Sequence, residues 1–335
     1  MKSLAIHGAL DLRLEDVPVP EPTADQVRLK VAYVGICGSD LHYYFQGANG
    51  DFVVEEPLVP GHELSGVVDL DPSGTYAPGT PVTVHPATFG EPLPECPDAR
   101  HLWPGGSYLG SASTHPHTQG AMSEYLLVGR DMVRPLPEGL DLRTAALAEP
   151  LGVALHAANM AGELAGAKVL VIGSGPIGLL QIAAALGRGA ASVDASDVIP
   201  EALERAKDLG AARVFRAGAD EIPDAAYDVV FECSGSAPGS NSAWRAVRRR
   251  GVVVHVGMPP AGPQPLALSV LVNKEATVRT TFRFDDEIDE AVTMLRAHPE
   301  FARVITHEYA AADAVSAFEI AKDSSASGKV LVRMD

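Results

Sequence analysis

The chain is most constrained between residues 168 and 186. A short β-branched run, Lys168-Val169-Leu170-Val171-Ile172, meets the hexad Gly173-Ser174-Gly175-Pro176-Ile177-Gly178, which opens into an apolar stretch from Leu179 to Leu186. Strand, glycine turn and helix in that order are the start of a βαβ unit. A strand this apolar is covered on both faces, which calls for further βα units beside it. They follow: Ser192–Asp197 and Tyr227–Glu232 read as strands, Glu201–Leu209 as a helix, and Gly251–Val256 as another strand. The expected fold class is α/β, with a doubly wound parallel sheet of the Rossmann type.

The hexad has the spacing of a dinucleotide site. Gly173 permits the tight turn, Gly175 lets the backbone approach a pyrophosphate, and Gly178 lets helix and strand pack closely. Pro176 and Ile177 open the helix whose N-terminal amides would face the phosphates. Asp197 lies 19 residues beyond Gly178, near the offset of an acid that binds ribose hydroxyls. Its charge repels a 2′-phosphate, so NAD is expected over NADP. The competing reading has Asp197 capping the next helix. Asp194 is a second acid, but a buried strand position aims it elsewhere. No G-K-[ST] is present, which removes support for an NTPase.

The first ~145 residues are β-rich, with Val27 to Val34 as the clearest strand, and 85–119 is a long excursion dense in Pro, Gly and His. Two helix candidates, Glu287–Ala297 and Ala311–Lys322, precede a last strand at Lys329–Arg333. The length of 335 residues suits about two domains, and 46% hydrophobic with 21% charged residues is globular. A net charge of −17 disfavours nucleic acid as a partner and means that an anionic substrate needs a local cation. The apolar run after Met1 is too short for a signal peptide, and no membrane span is expected. Cys37, Cys96 and Cys233 cannot build a disulfide framework, which fits a cytoplasmic enzyme.

Cys37 stands in Cys37-Gly-Ser-Asp-Leu-His42, His62 and Glu63 in Gly61-His-Glu-Leu-Ser-Gly66, and Glu149 before Pro150-Leu151. Thiolate, imidazole and carboxylate form a borderline-soft set that suits Zn²⁺ with one position open. Each also has an ordinary explanation: a core thiol, a turn histidine, a helix-start acid. Residue types alone leave both open.

Together with the glycine hexad, these motifs resemble the zinc-dependent medium-chain alcohol and polyol dehydrogenases along almost the whole chain. Cys37-Gly-Ser-Asp-Leu-His-Tyr-Tyr44, Gly50-Asp-Phe52, Glu149-Pro-Leu-Gly-Val-Ala-Leu-His156 and Phe282-Arg-Phe284 are similar to the sorbitol and L-idonate dehydrogenase branch. Tyr108-Leu-Gly-Ser-Ala112 with Pro116-His117 leans towards the idonate enzymes.

The resemblance implies one catalytic zinc on Cys37, His62 and either Glu63 or Glu149. It implies a proton relay through Ser39 and His42, and cofactor contacts at Val256, Gly257, Phe282 and Arg283. It also implies a GroES-like β-rich catalytic domain split into 1–144 and 283–335 around a cofactor domain at 145–282, with the zinc between them. Homodimers or homotetramers through the cofactor domains' sheet edges are expected. Tyr43, Phe52 and Phe282 are candidate pocket linings, and Arg100, Lys274 and Arg283 candidate partners for a substrate carboxylate. Relatives often carry a second, structural zinc on four cysteines. Here the matching stretch, His85 to Gly110, offers Cys96 with His85, His101, Glu91, Glu95 and Asp98, so no structural zinc is expected. The leading substrate reading is L-idonate to 5-keto-D-gluconate, the second a sorbitol- or xylitol-type polyol, and a third has a cofactor-binding relative without catalysis.

Overall fold

The structure is a computed structural model and describes residues 1–334. The chain forms two compact units: Met1–Glu149 with Ile288–Asp323 and a last piece from Lys329, and Pro150–Glu287 with Ser324–Gly328.

The first unit is built on a seven-stranded sheet. Its order is Val133–Pro135, Pro81–Val84, Glu63–Leu70, Gln26–Gly35, Lys329–Arg333 and Ile305–Ala310, with Tyr125–Gly129 also pairing Gln26–Gly35. The alternation in Gln26–Gly35 buries Val27, Leu29 and Val31, and a register shift between Val31 and Tyr33 lets Val34 join the same core. Aliphatic residues from both ends of the chain share that core: Leu4, Ile6, Val330 and Val332 join Phe318 of the helix Ala314–Lys322. The helix predicted over Ala311–Lys322 begins with a 3₁₀ turn at Ala311–Asp313. Within the long excursion, Ala87–Thr88 pairs antiparallel with Ser107–Tyr108, and a 3₁₀ turn covers Arg100–Leu102.

The second unit is a six-stranded parallel sheet. Its order is Val214–Arg216, Ser192–Asp197, Lys168–Ile172, Tyr227–Glu232, Val247–His255 and Thr277–Thr280. The strand predicted over Gly251–Val256 starts at Val247, carrying three exposed arginines, Arg248–Arg250, whose polarity hides its start. Buried Asp194 faces away from the glycine turn, where it accepts from Tyr227 Oη and Arg213 Nη2, both at 2.7 Å.

The units divide after Glu149 and after Glu287, each five residues beyond the boundaries read from sequence. Local contacts explain both shifts. Glu149 accepts from Tyr108 Oη in the first unit. Phe284 packs on Gly152, and Glu287 binds His156 and Asn159, in the second. Ser324–Gly328 joins the second unit through Arg205, whose guanidinium donates to the carbonyls of Ser324 and Ser325.

Candidate metal and cofactor sites

Antiparallel pairing of Gln26–Gly35 with Glu63–Leu70 sets Gly35 opposite Glu63, so the segments carrying Cys37 and His62 leave the sheet side by side. Gly35 is required there: a Cβ would lie 2.1 Å from Glu63 Oε2. Asp40, fully buried, ties the two segments together. Its Oδ2 accepts from the Cys37 amide at 2.9 Å and its Oδ1 from the Gly61 amide at 3.0 Å. Burial raises the Asp40 pKa, opposed by His62 and by these amides. Sequence reasoning passed over Asp40, although an acid three residues after Cys37 is the N3 position of the helix Gly38–Gln46.

Ligand atoms of Cys37, His62 and Glu63 lie within 4.8 Å of one another. Among the described residues, His62 Nδ1 and Glu63 Oε2 are buried without a hydrogen-bond partner. Two orphaned acceptor-capable atoms beside a thiol are costly unless something binds them, and the set fits Zn²⁺. Glu63 Oε1 instead accepts from Lys329 Nζ at 2.6 Å, and Lys329 also donates to the Ile36 carbonyl at 3.1 Å. Glu149 is buried in the first turn of the helix Ala148–Ala161, outside the 4.8 Å group, and accepts from Tyr108 Oη at 2.5 Å. Burial opposes charge on His62, yet Cys37, Asp40 and Glu149 outweigh it and hold the imidazole pKa well above its ordinary value. Burial also raises Glu149, reinforced by Glu63 and countered by His62. Lys329 was missed from sequence, and Tyr108 was singled out only as part of its motif, not for its contact with Glu149. Ser39 and His42 occupy one face of the helix Gly38–Gln46, three residues apart, Ser39 half-buried and His42 exposed.

Several sequence candidates are placed elsewhere. Tyr43 is a core residue whose hydroxyl accepts from the Ala112 amide at 3.1 Å. Lys274 donates to the carbonyls of Trp244, Arg245 and Val247, so it caps the helix Ala237–Ala246 rather than offering a charge to substrate. Arg100 stacks over the Phe89 ring at 4.2 Å. A second group of ligand-type residues, Glu56, His115 and His117, also lies within 4.8 Å. Both ring nitrogens of His117 are already engaged there, Nδ1 with the Thr114 carbonyl at 2.9 Å and Nε2 with the Glu55 amide at 3.1 Å.

In the second unit the three glycines of the turn behave differently. Gly173 has φ +91 and a Cβ there would sit 2.7 Å from the Ser234 nitrogen; at Gly178 it would sit 1.8 Å from the Gly173 carbonyl oxygen. A Cβ at Gly175 meets nothing within 4 Å, so that side of the turn has room for a ligand. Pro176 is the first residue of the helix Pro176–Gly187. Asp197 Oδ2 accepts from the Ser174 amide at 2.6 Å and Oδ1 from the Ile199 amide at 2.9 Å. It therefore braces the glycine turn and the entry to the next helix together. A cavity of about 820 Å³ is lined by Gly173, Asp197, Val198, Ser234, Ser236 and Gly239. The amides of Val256 and Gly257 both donate to the Glu232 carbonyl, which fixes the loop that follows Val247–His255. Arg283, at φ +51, lies over the exposed Phe282 ring at 4.9 Å.

Residues 23–138 match the alcohol dehydrogenase GroES-like domain, and 176–297 the zinc-binding dehydrogenase domain. L-idonate 5-dehydrogenase (NAD(P)(+)) of Escherichia coli is 34% identical across 94% of both chains, and sorbitol dehydrogenase of Bacillus subtilis 32% across 95% and 93%. The solved structure of the Escherichia coli L-idonate 5-dehydrogenase superposes with a TM-score of 0.93 at 31% identity, covering 99% and 97% of the two chains. The chain belongs to the zinc-dependent medium-chain polyol dehydrogenase family: a GroES-like domain with a Rossmann-type parallel sheet. Among the described residues, no helix is long and apolar enough to cross a membrane.

Proposed function

We propose that the protein is a zinc- and NAD-dependent dehydrogenase that oxidises a secondary alcohol of a sugar acid, with L-idonate and 5-keto-D-gluconate as the pair. The observation that carries the enzymatic reading is the Cys37–His62–Glu63 group, half-buried at the thiol and buried at the other two, with its two unpartnered ligand atoms. The substrate reading is supported by Tyr108-Leu-Gly-Ser-Ala112 and Pro116-His117, and by the likeness to the L-idonate enzyme. The sorbitol dehydrogenases at similar identity keep a neutral polyol as the second reading.

Cys37, His62 and Glu63 would hold the zinc. When bound, zinc supplies Lewis acidity toward the alcohol oxygen and the nicotinamide a hydride acceptor. Ser39 and His42 take the alcohol's proton outward, Ser39 half-buried and His42 exposed. Gly173, Gly175, Pro176, Ile177 and Gly178 receive the pyrophosphate, and Asp197 the adenosine ribose. Val256, Gly257, Phe282 and Arg283 complete the cofactor contacts. Arg283 is retained as the cation for a substrate carboxylate, because Lys274 is a helix cap. A non-catalytic relative has no use for this whole set.

The domain assignment follows: the first unit carries the metal and the second the dinucleotide. Association through Thr277–Thr280 is supported by its position at the sheet edge with all four residues exposed. The three free thiols support a cytoplasmic location. Metal analysis is expected to return one zinc per chain. The deciding experiment is NADH formation by zinc-loaded protein with L-idonate against sorbitol. A higher kcat/KM for L-idonate is expected; a higher value for sorbitol selects the second reading, and no turnover on a broad alcohol panel removes both.

A further inference from the structure

The hairpin Ala87–Thr88 with Ser107–Tyr108 ends on a tyrosine whose hydroxyl reaches the metal neighbourhood. Tyr108 is 6% exposed and Glu149 5%, and their hydrogen bond is 2.5 Å long. The Tyr108 ring stands edge-on to His62, with centroids 5.4 Å apart. Its backbone is pinned by pairing with Ala87, and the next amide, that of Leu109, donates to the Pro86 carbonyl at 3.0 Å. Tyr108 is thus a fixed donor rather than a mobile one.

Two buried carboxylates flank Cys37 and His62, and their chemistry as ligands is the same. What differs is what holds each oxygen. Glu63 gives Oε1 to Lys329 and keeps Oε2 unpartnered within the ligand group. Glu149 gives Oε1 to Tyr108 and stands outside that group. An O–H···O⁻ bond of this length is charge-assisted and strong. If both carboxylates were bound, Cys37, His62, Glu63 and Glu149 would make four protein ligands, the closed arrangement of a structural zinc site.

We propose that Tyr108 is a positioning residue that holds Glu149 beside the metal but off it, so that three protein ligands leave one position for substrate. The lobe is thereby part of the active site although it lacks the paired cysteines of a second zinc. The proposal rests on Cys37, His62 and Glu63 being the zinc ligands.

The test compares wild type, Tyr108→Phe, Glu149→Gln and the double variant. Zinc affinity is measured by chelator competition, and coordination by the visible spectrum of the Co²⁺-substituted protein. Tyr108→Phe removes one hydroxyl and should bind zinc at least tenfold more tightly, change the cobalt bands and lose kcat. Adding Glu149→Gln should return affinity and spectrum to those of wild type, and Glu149→Gln alone should keep zinc. The proposal is overturned if Tyr108→Phe leaves affinity and spectrum unchanged or weakens zinc binding, or if Glu149→Gln alone loses the metal. Wild-type protein that binds no zinc refutes the assignment of the three ligands instead.

Discussion

Lys329 Nζ and Glu63 Oε1 form a fully buried ion pair at 2.6 Å that joins residues 266 positions apart. Burial opposes the charge on Lys329, but Glu63 and Cys37 outweigh it and raise its pKa above the ordinary value. The pair links the C-terminal strand to the start of the Glu63–Leu70 strand across the strand Gln26–Gly35 that lies between them, and it leaves only one carboxylate oxygen of Glu63 for a metal.

Removing one partner strands the other as an uncompensated buried charge. Lys329→Met is therefore expected to cost about 3–5 kcal/mol of the first unit's stability. Urea unfolding of the metal-free protein measures it. The double variant Lys329→Met/Glu63→Gln should recover much of the loss, and a Lys329→Met protein as stable as wild type would show that the pair contributes nothing net.

Asp197 acts on cofactor choice through charge and on the glycine turn through hydrogen bonds, and two variants separate these. Asp197→Asn keeps a side-chain acceptor and removes the charge, so kcat/KM for NADP should rise while the turn persists. Asp197→Ala also releases the Ser174 and Ile199 amides, and should raise the KM for NAD about tenfold, equivalent to about 1.4 kcal/mol. An NAD to NADP ratio unaltered in Asp197→Asn would remove charge repulsion as the basis of selectivity.

The second unit was largely legible in the sequence and the metal neighbourhood only in part. Val169, Leu170, Val171 and Ile172 are buried on both faces, and a strand covered on both sides leaves an unbroken apolar run that marks its own limits. Val247–His255 escaped at its start because Arg248–Arg250 are exposed before the strand enters the core. Cys37, His62 and Glu149 lie in short motifs. Tyr108, Lys329 and Asp40 act through contacts set by tertiary folding. A fully buried lysine in a strand is rare enough that Lys329 reads as a solvent-facing end until its ammonium is seen to meet Glu63.

Glu287 makes a pH-dependent contribution in the second unit. Burial pushes its pKa up, but the hydrogen bond and charge of His156, with Asn159 and the Asp285 amide, bring it to about 2 from an ordinary 4.5. Because the folded value is the lower one, the stabilisation is complete above pH 4.5 and is lost as pH falls from there toward 2. Solvent screening reduces its size to ~1–2 kcal/mol. Thermal unfolding followed from pH 5 to 2.5 should show a shallower acid decline in Glu287→Gln than in wild type. Parallel curves would exclude Glu287 as a source of that slope.

The exposed edge strand Thr277–Thr280 carries the prediction on assembly. Edge strands leave backbone donors and acceptors unpaired, and proteins that keep them from pairing blunt them with charge, proline or bulges. This one has Val278 at 40% exposure, and Leu268 and Val272 in the segment leading to it are 62% and 68% exposed. Its single cation, Arg279, donates to the Met160 carbonyl. An edge strand with an exposed valine, no proline or acid, and its one cation engaged elsewhere is open to a second copy that continues the sheet. Val278→Asp places a charge on that edge without entering the cofactor cavity, so it should raise the dimer Kd at least tenfold while NADH binding stays as in wild type. Sedimentation velocity at micromolar protein provides the reading. Wild-type protein that sediments as a monomer would refute the edge pairing, and a Val278→Asp protein that assembles like wild type would move the interface elsewhere on the molecule.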